Sequence, residues 1–89
     1  MTQNDFQKYV PVLNQKPFSL YPAPEVAPSQ AAEWYERKFT YVTDSETHVT
    51  IKDAASQKIY QIPLVLIEFA NPGLLRLTRQ VKPYNGDFV

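Results

Sequence analysis

His48 is the single histidine of this 89-residue chain, and there is no cysteine. A zinc centre needs several nitrogen or sulfur ligands, which His48 cannot supply alone. As an acid–base catalyst it would need a positioned partner, and Glu46 and Asp53 are near it in sequence only. Its place in the alternating stretch His48-Val49-Thr50-Ile51-Lys52 reads as a solvated strand residue. The two glycines, Gly73 and Gly86, are too few for a phosphate-cradling loop. Ser19, Ser29, Ser45 and Ser56 lie outside any nucleophile-elbow context, and the carboxylates are dispersed. The residue types therefore predict no enzyme, no cofactor and no metal.

The remaining chemistry is cationic. Arg76, Arg79 and Lys82 form the only local basic cluster. Alternation from Leu74 to Lys82 puts Arg76 and Lys82 on a polar face with Gln80. There they read either as charges guarding a sheet edge or as contacts to phosphate or to an acidic partner. Arg79 falls on the apolar face with Leu75, Leu77 and Val81. A charge there calls for a carboxylate, and Glu68 is the expected partner in a structural ion pair.

Nine basic and nine acidic residues give a formal net charge of zero. A dedicated polyanion binder would be basic and a DNA mimic strongly acidic, so neither is expected. Met1 to Asp5 lacks the pattern of a signal peptide. The longest apolar run, Ile62 to Ile67, includes Pro63 and is too short to span a bilayer. The expected location is a virion or the cytoplasm, with no membrane.

The elements that would carry these residues divide near residue 29. Residues 1–28 hold five of the eight prolines and the aromatics Phe6, Tyr9, Phe18 and Tyr21. Proline at positions 17, 22, 24 and 28 keeps the backbone extended, and such a strap could reach on the order of 80 Å. Residues 5–13 allow a short strand or a helical turn. The predicted organisation is an extended N-terminal arm, 1–28, followed by a small β-rich module, 29–89. Phe6, Tyr9, Phe18, Leu20 and Tyr21 are the apolar anchors by which the arm would bind a partner. The other reading is that the arm wraps back over its own module.

Within the module, Ser29 suggests a helix cap for a short helix over Gln30 to Arg37. Strands are expected over Lys38–Thr43, His48–Lys52, Lys58–Ile62 and Leu74–Lys82. Pro63 to Phe69 reads as either a short helix or a buried strand, and Asn71-Pro72-Gly73 as a turn. The expected class is mainly β, with a small α+β fold as the variant. The expected form is an antiparallel meander or a small barrel-like sheet with one or two short helices.

From Phe39 onward the chain resembles the LytTR family of bacterial DNA-binding domains. The resemblance rests on Tyr41-Val42, the strand His48 to Lys52, the stretch Ile59-Tyr60-Gln61-Ile62 leading into Leu64 to Phe69, and Arg76-Leu77-Thr78-Arg79. It covers about half the chain. It implies DNA contact through the Arg-rich segment, although Thr78 and Gln80 replace the histidine and serine usual in that segment.

A module of about 60 residues without disulfides is close to the lower limit for a lone core. The expected function is therefore non-enzymatic. The chain reads as a small subunit of a larger assembly, anchored by its arm to other protein subunits or to copies of itself. A phage virion accessory protein, for capsid decoration or head–tail joining, is the kind of protein this build suggests. The alternatives are a small nucleic-acid-binding domain using the basic C-terminal strand and a small inhibitor of a host protein.

Overall fold

The computed structural model describes residues 1–21 and 36–78, together with the backbone pairing of 83–84 with 87–88. The chain opens with helical turns. Thr2 caps α1 (Gln3–Phe6), its Oγ1 accepting the Asp5 N–H at 3.1 Å. A 3-10 turn follows at Gln7–Tyr9, then α2 (Val10–Leu13). Pro11 lies in the first turn of α2, where a missing N–H costs no intrahelical bond. The strand option for residues 5–13 therefore gives way to helix, despite the proline. Pro17 then sets extended backbone for β1 (Ser19–Tyr21).

Residues 1–21 are not a free arm. Phe6, Leu13, Phe18 and Leu20 are all buried in the chain's own core. Phe18 exchanges two backbone hydrogen bonds with Phe39, at 2.9 and 2.8 Å. This corrects the expectation that Phe6, Phe18 and Leu20 anchor on a neighbour. Tyr9 also packs against the core, and Tyr21 alone of the five anchors is largely exposed. The reason is that Pro17 permits an edge-type strand as readily as a detached strap. The burial of Phe6, Phe18 and Leu20 follows the other reading of this segment, in which it wraps back over its own module. The rest of the expected arm, 22–28, and most of the helix expected over Gln30 to Arg37 lie outside the described residues.

Alternation builds the first sheet from β2 (Phe39–Asp44), β3 (His48–Asp53) and β4 (Ile59–Pro63), antiparallel in that order. Its inward row is Phe39, Val49, Ile51, Tyr60 and Ile62. Pro63 then leads into a 3-10 turn, Leu64–Leu66, and directly into β5 (Ile67–Asn71). The ambiguous stretch is thus a helical turn and a strand in succession. Gly73, at φ 82, closes the turn between β5 and β6 (Leu74–Leu77), a backbone region that suits glycine.

The second sheet has the order β1-β6-β5, with β1 parallel to β6 and β5 antiparallel to it. The molecule is mainly β, as expected, but this sheet is mixed where an antiparallel meander was expected. The described strands do not close into a barrel. Short strands β7 (Pro83–Tyr84) and β8 (Asp87–Phe88) pair with each other, and β8 lies against β4. The strand expected over Leu74–Lys82 ends at Leu77. Among the described residues, no helix is long and apolar enough to cross a membrane.

The N-terminal turns are fastened to β2 by one carboxylate. Asp44 accepts hydrogen bonds from Gln3 Nε2 at 2.8 Å, from Gln7 Nε2 and from the Tyr41 hydroxyl. Burial alone would raise the Asp44 carboxyl, but the bonds from Tyr41, Gln3 and Gln7 outweigh it and hold it below the usual carboxylate range. Burial, then the bond and charge of Asp44, push the Tyr41 phenol up to about 12. The linkage has a definite sign. The Asp44 contribution is present above the ordinary aspartate value and is lost as pH falls through its lowered one. The Tyr41 contribution is present below the ordinary phenol value and is lost as pH rises towards 12. Asp44→Asn is expected to cost about 1–2 kcal/mol near neutral pH and to flatten the acid limb of a stability–pH profile. Urea unfolding across pH 2–7 is the check, and an unchanged acid limb would exclude Asp44 as the fastening.

Candidate functional site

Strand register, rather than sequence proximity, assembles the most distinctive surface. Across the second sheet Leu20, Leu75 and Ala70 stand side by side and point inward, all buried. The next row outward is Tyr21, Arg76 and Phe69. Tyr21 is 45% exposed, and Arg76 and Phe69 are half-buried. The Arg76 guanidinium carbon lies 4.6 Å from the Tyr21 ring centroid, a cation–π stack. The parallel row beneath holds Ser19, Leu74 and Asn71. At its border Lys38 Nζ donates to Ser19 Oγ at 2.8 Å.

A β-bulge makes this face possible. The register of β5 against β6 shifts between Ile67 and Phe69. One extra residue, Glu68, stands unpaired and exposed. The shift lets Ile67 and Ala70 both point inward while Phe69 turns out beside Arg76, which strict alternation forbids. The row therefore has two aromatic residues flanking one cation on one face of the sheet. Such a face can stack, accept carboxylates through the guanidinium, and exclude water around that contact. Of its described members, Arg76 is the central charge, Lys38 adds a second cation at one border, and Glu68 stands at the other.

A cleft of about 530 Å³ opens elsewhere, lined by Glu36, Arg37, Lys38, Asp53, Lys58 and Tyr60 among others. Its floor is Asp53, only 3% exposed. Asp53 Oδ1 accepts the backbone N–H groups of Ala55 at 2.8 Å and Ser56 at 3.1 Å. Its Oδ2 lies 3.9 Å from Arg37 Nη1, which also donates to the Tyr60 hydroxyl at 3.2 Å. Both carboxylate oxygens are thus engaged in holding a turn and an arginine. The strand expected over His48–Lys52 stopped one residue short of Asp53, which ends β3. The signal for its burial was there, since it continues the inward alternation of Val49 and Ile51.

The other sequence-derived sites fall apart from one another. His48 is half-buried, with its Nδ1 2.8 Å from Thr47 Oγ1, and among the described residues neither Glu46 nor Asp53 bonds to it. Arg79 and Lys82 lie outside the described residues, so the Arg79–Glu68 pair does too. Among the described residues no group of histidine and carboxylate side chains is placed to hold a metal ion. Tyr21 and Arg76, assigned separately to an arm and to a basic strand, are brought into one contact. Phe69 was missed because only the bulge turns it outward. Comparison with protein-family models, with curated proteins and with solved structures finds no match.

Proposed function

We propose that this chain is a non-enzymatic interaction protein, a small subunit that docks onto an acidic protein surface within a larger assembly. The docking face is the outer side of β1, β6 and β5. The observation that carries the reading is the row Tyr21–Arg76–Phe69. Tyrosine and arginine are among the side chains enriched as energetic anchors of interfaces. Stacking on Tyr21 holds the guanidinium in place before a partner arrives, which lowers the ordering cost of binding. The partner's matching chemistry is a carboxylate seated among apolar groups.

The test is quantitative affinity capture from the source cells with wild-type, Arg76→Glu and Tyr21→Ala chains. A stoichiometric acidic partner should be recovered by the wild type and at least about tenfold less by Arg76→Glu. Equal recovery by all three chains would overturn the assignment of the face. A second reading has a specific observation behind it, because outward aromatics on a sheet also stack single-stranded bases. It predicts salt-sensitive oligonucleotide binding that falls in Arg76→Ala, and a clean titration of that kind would replace the protein-partner reading.

A further inference from the structure

A second concavity, of about 490 Å³, lies where the 3-10 turn Leu64–Leu66 meets the N-terminal helices. Met1, Tyr9, Val65 and Ile67 give its apolar lining, and Asp5, Lys8, Glu68 and Thr78 its polar part. Val65 stands on its margin at 75% exposure, the most exposed large hydrophobic among the described residues. The turn holds it there while its neighbours Leu64 and Leu66 are buried. The patch thus carries an apolar knob and an apolar hollow side by side.

We propose that this patch is the interface for a second copy of the chain, related by a two-fold axis. An isologous contact needs one patch that is complementary to itself. Val65 of each copy would enter the hollow of the other, so that both knobs are covered by the same operation. The charges obey the same rule. Lys8 stands on the helical wall, where its only described ion pair is to Asp5 at 4.0 Å, with both side chains well exposed. Such a pair is worth little and leaves Lys8 able to meet an acid across the interface. Glu68 on the β5 wall is that acid, supplied by the partner copy, and the symmetric pair forms at the same time. This surface meets the border of the Tyr21–Arg76–Phe69 face at Glu68, and the inference does not rest on the function proposed for that row.

Sedimentation velocity over a concentration series of the full chain tests it. The wild type is expected to show a concentration-dependent dimer. Val65→Asp, at an exposed site that leaves the core untouched, should weaken that dimer by at least about tenfold. Lys8→Glu and Glu68→Lys should each weaken it, and the two changes in one chain should restore much of it. A wild-type chain that is monomeric throughout the series would overturn the proposal. So would a dimer unchanged by Val65→Asp in a chain whose circular dichroism matches the wild type, or a double charge swap no stronger than either single change.

Discussion

Removing residues 1–21 should leave the chain unfolded. The segment contributes Phe6, Leu13, Phe18 and Leu20 to the core, each at 1% exposure or less. Loss of one such side chain costs about 2–5 kcal/mol, against a total stability of order 5–15 kcal/mol for a domain. Four together come to about 8–20 kcal/mol, as much as that whole stability, before the lost pairing of β1 with β6 is considered. Far-UV circular dichroism and a thermal melt of the truncated chain provide the check. A cooperative melt with intact strand signal would show that residues 22–89 fold alone and that the N-terminal segment is an accessory. Phe18→Ala is the milder form of the experiment. It removes a ring that lies 6.4 Å from that of Phe39, and it should cost about 3–5 kcal/mol without necessarily abolishing the fold.

The second large effect is expected at Asp53. Asp53→Ala would strand the amides of Ala55 and Ser56 and remove the carboxylate beside Arg37. Hydrogen bonds to a charged acceptor contribute about 1.5–3 kcal/mol each, and breaking one side of a buried ion pair costs about 3–5 kcal/mol. These terms overlap, because one carboxylate serves both. The expected loss is about 3–4 kcal/mol in denaturant unfolding. Asp53→Asn separates the contributions. It keeps an oxygen for the two amides but turns an amide donor towards Arg37 in place of the charged Oδ2, so it should lose less than alanine while still giving up the ion pair. Equal losses in the two variants would mean that the ion pair, and not the turn, is what Asp53 supports.

Where periodicity was strict, the fold was legible. Val49 and Ile51 against Thr50 and Lys52 marked β3, and Leu75 and Leu77 against Arg76 marked β6. The signals were local, so local reading sufficed. β1 could not be read in this way. It has only three residues, it follows a proline, and its partner is a parallel strand far along the chain. Nothing near Ser19 announces Leu74. The same gap hid the candidate face. Arg76 was identified as a cation seeking an acidic group, and Tyr21 as an aromatic seeking a surface, but their meeting depends on a long-range register. Phe69 depends further on a bulge that no periodic pattern encodes. The N-terminal prolines were misleading for a related reason. They report extended backbone, and extended backbone serves equally for a detached strap and for a strand inside a core.

The parallel seam between β1 and β6 also bears on how the molecule comes into being. During synthesis Ser19–Tyr21 leaves the ribosome long before Leu74–Arg76 exists, and Leu20 must wait beside no partner. The hairpins of β2, β3 and β4 need only near neighbours and can pair without waiting for a distant strand. Closing the seam carries the loop entropy of everything between, and topologies dominated by such distant pairings fold slowly. The nascent chain therefore passes through a stage in which its earliest-made apolar residues, Phe6, Leu13, Phe18 and Leu20, are still uncovered. Apolar surface left uncovered for such an interval is what makes a folding chain prone to aggregate.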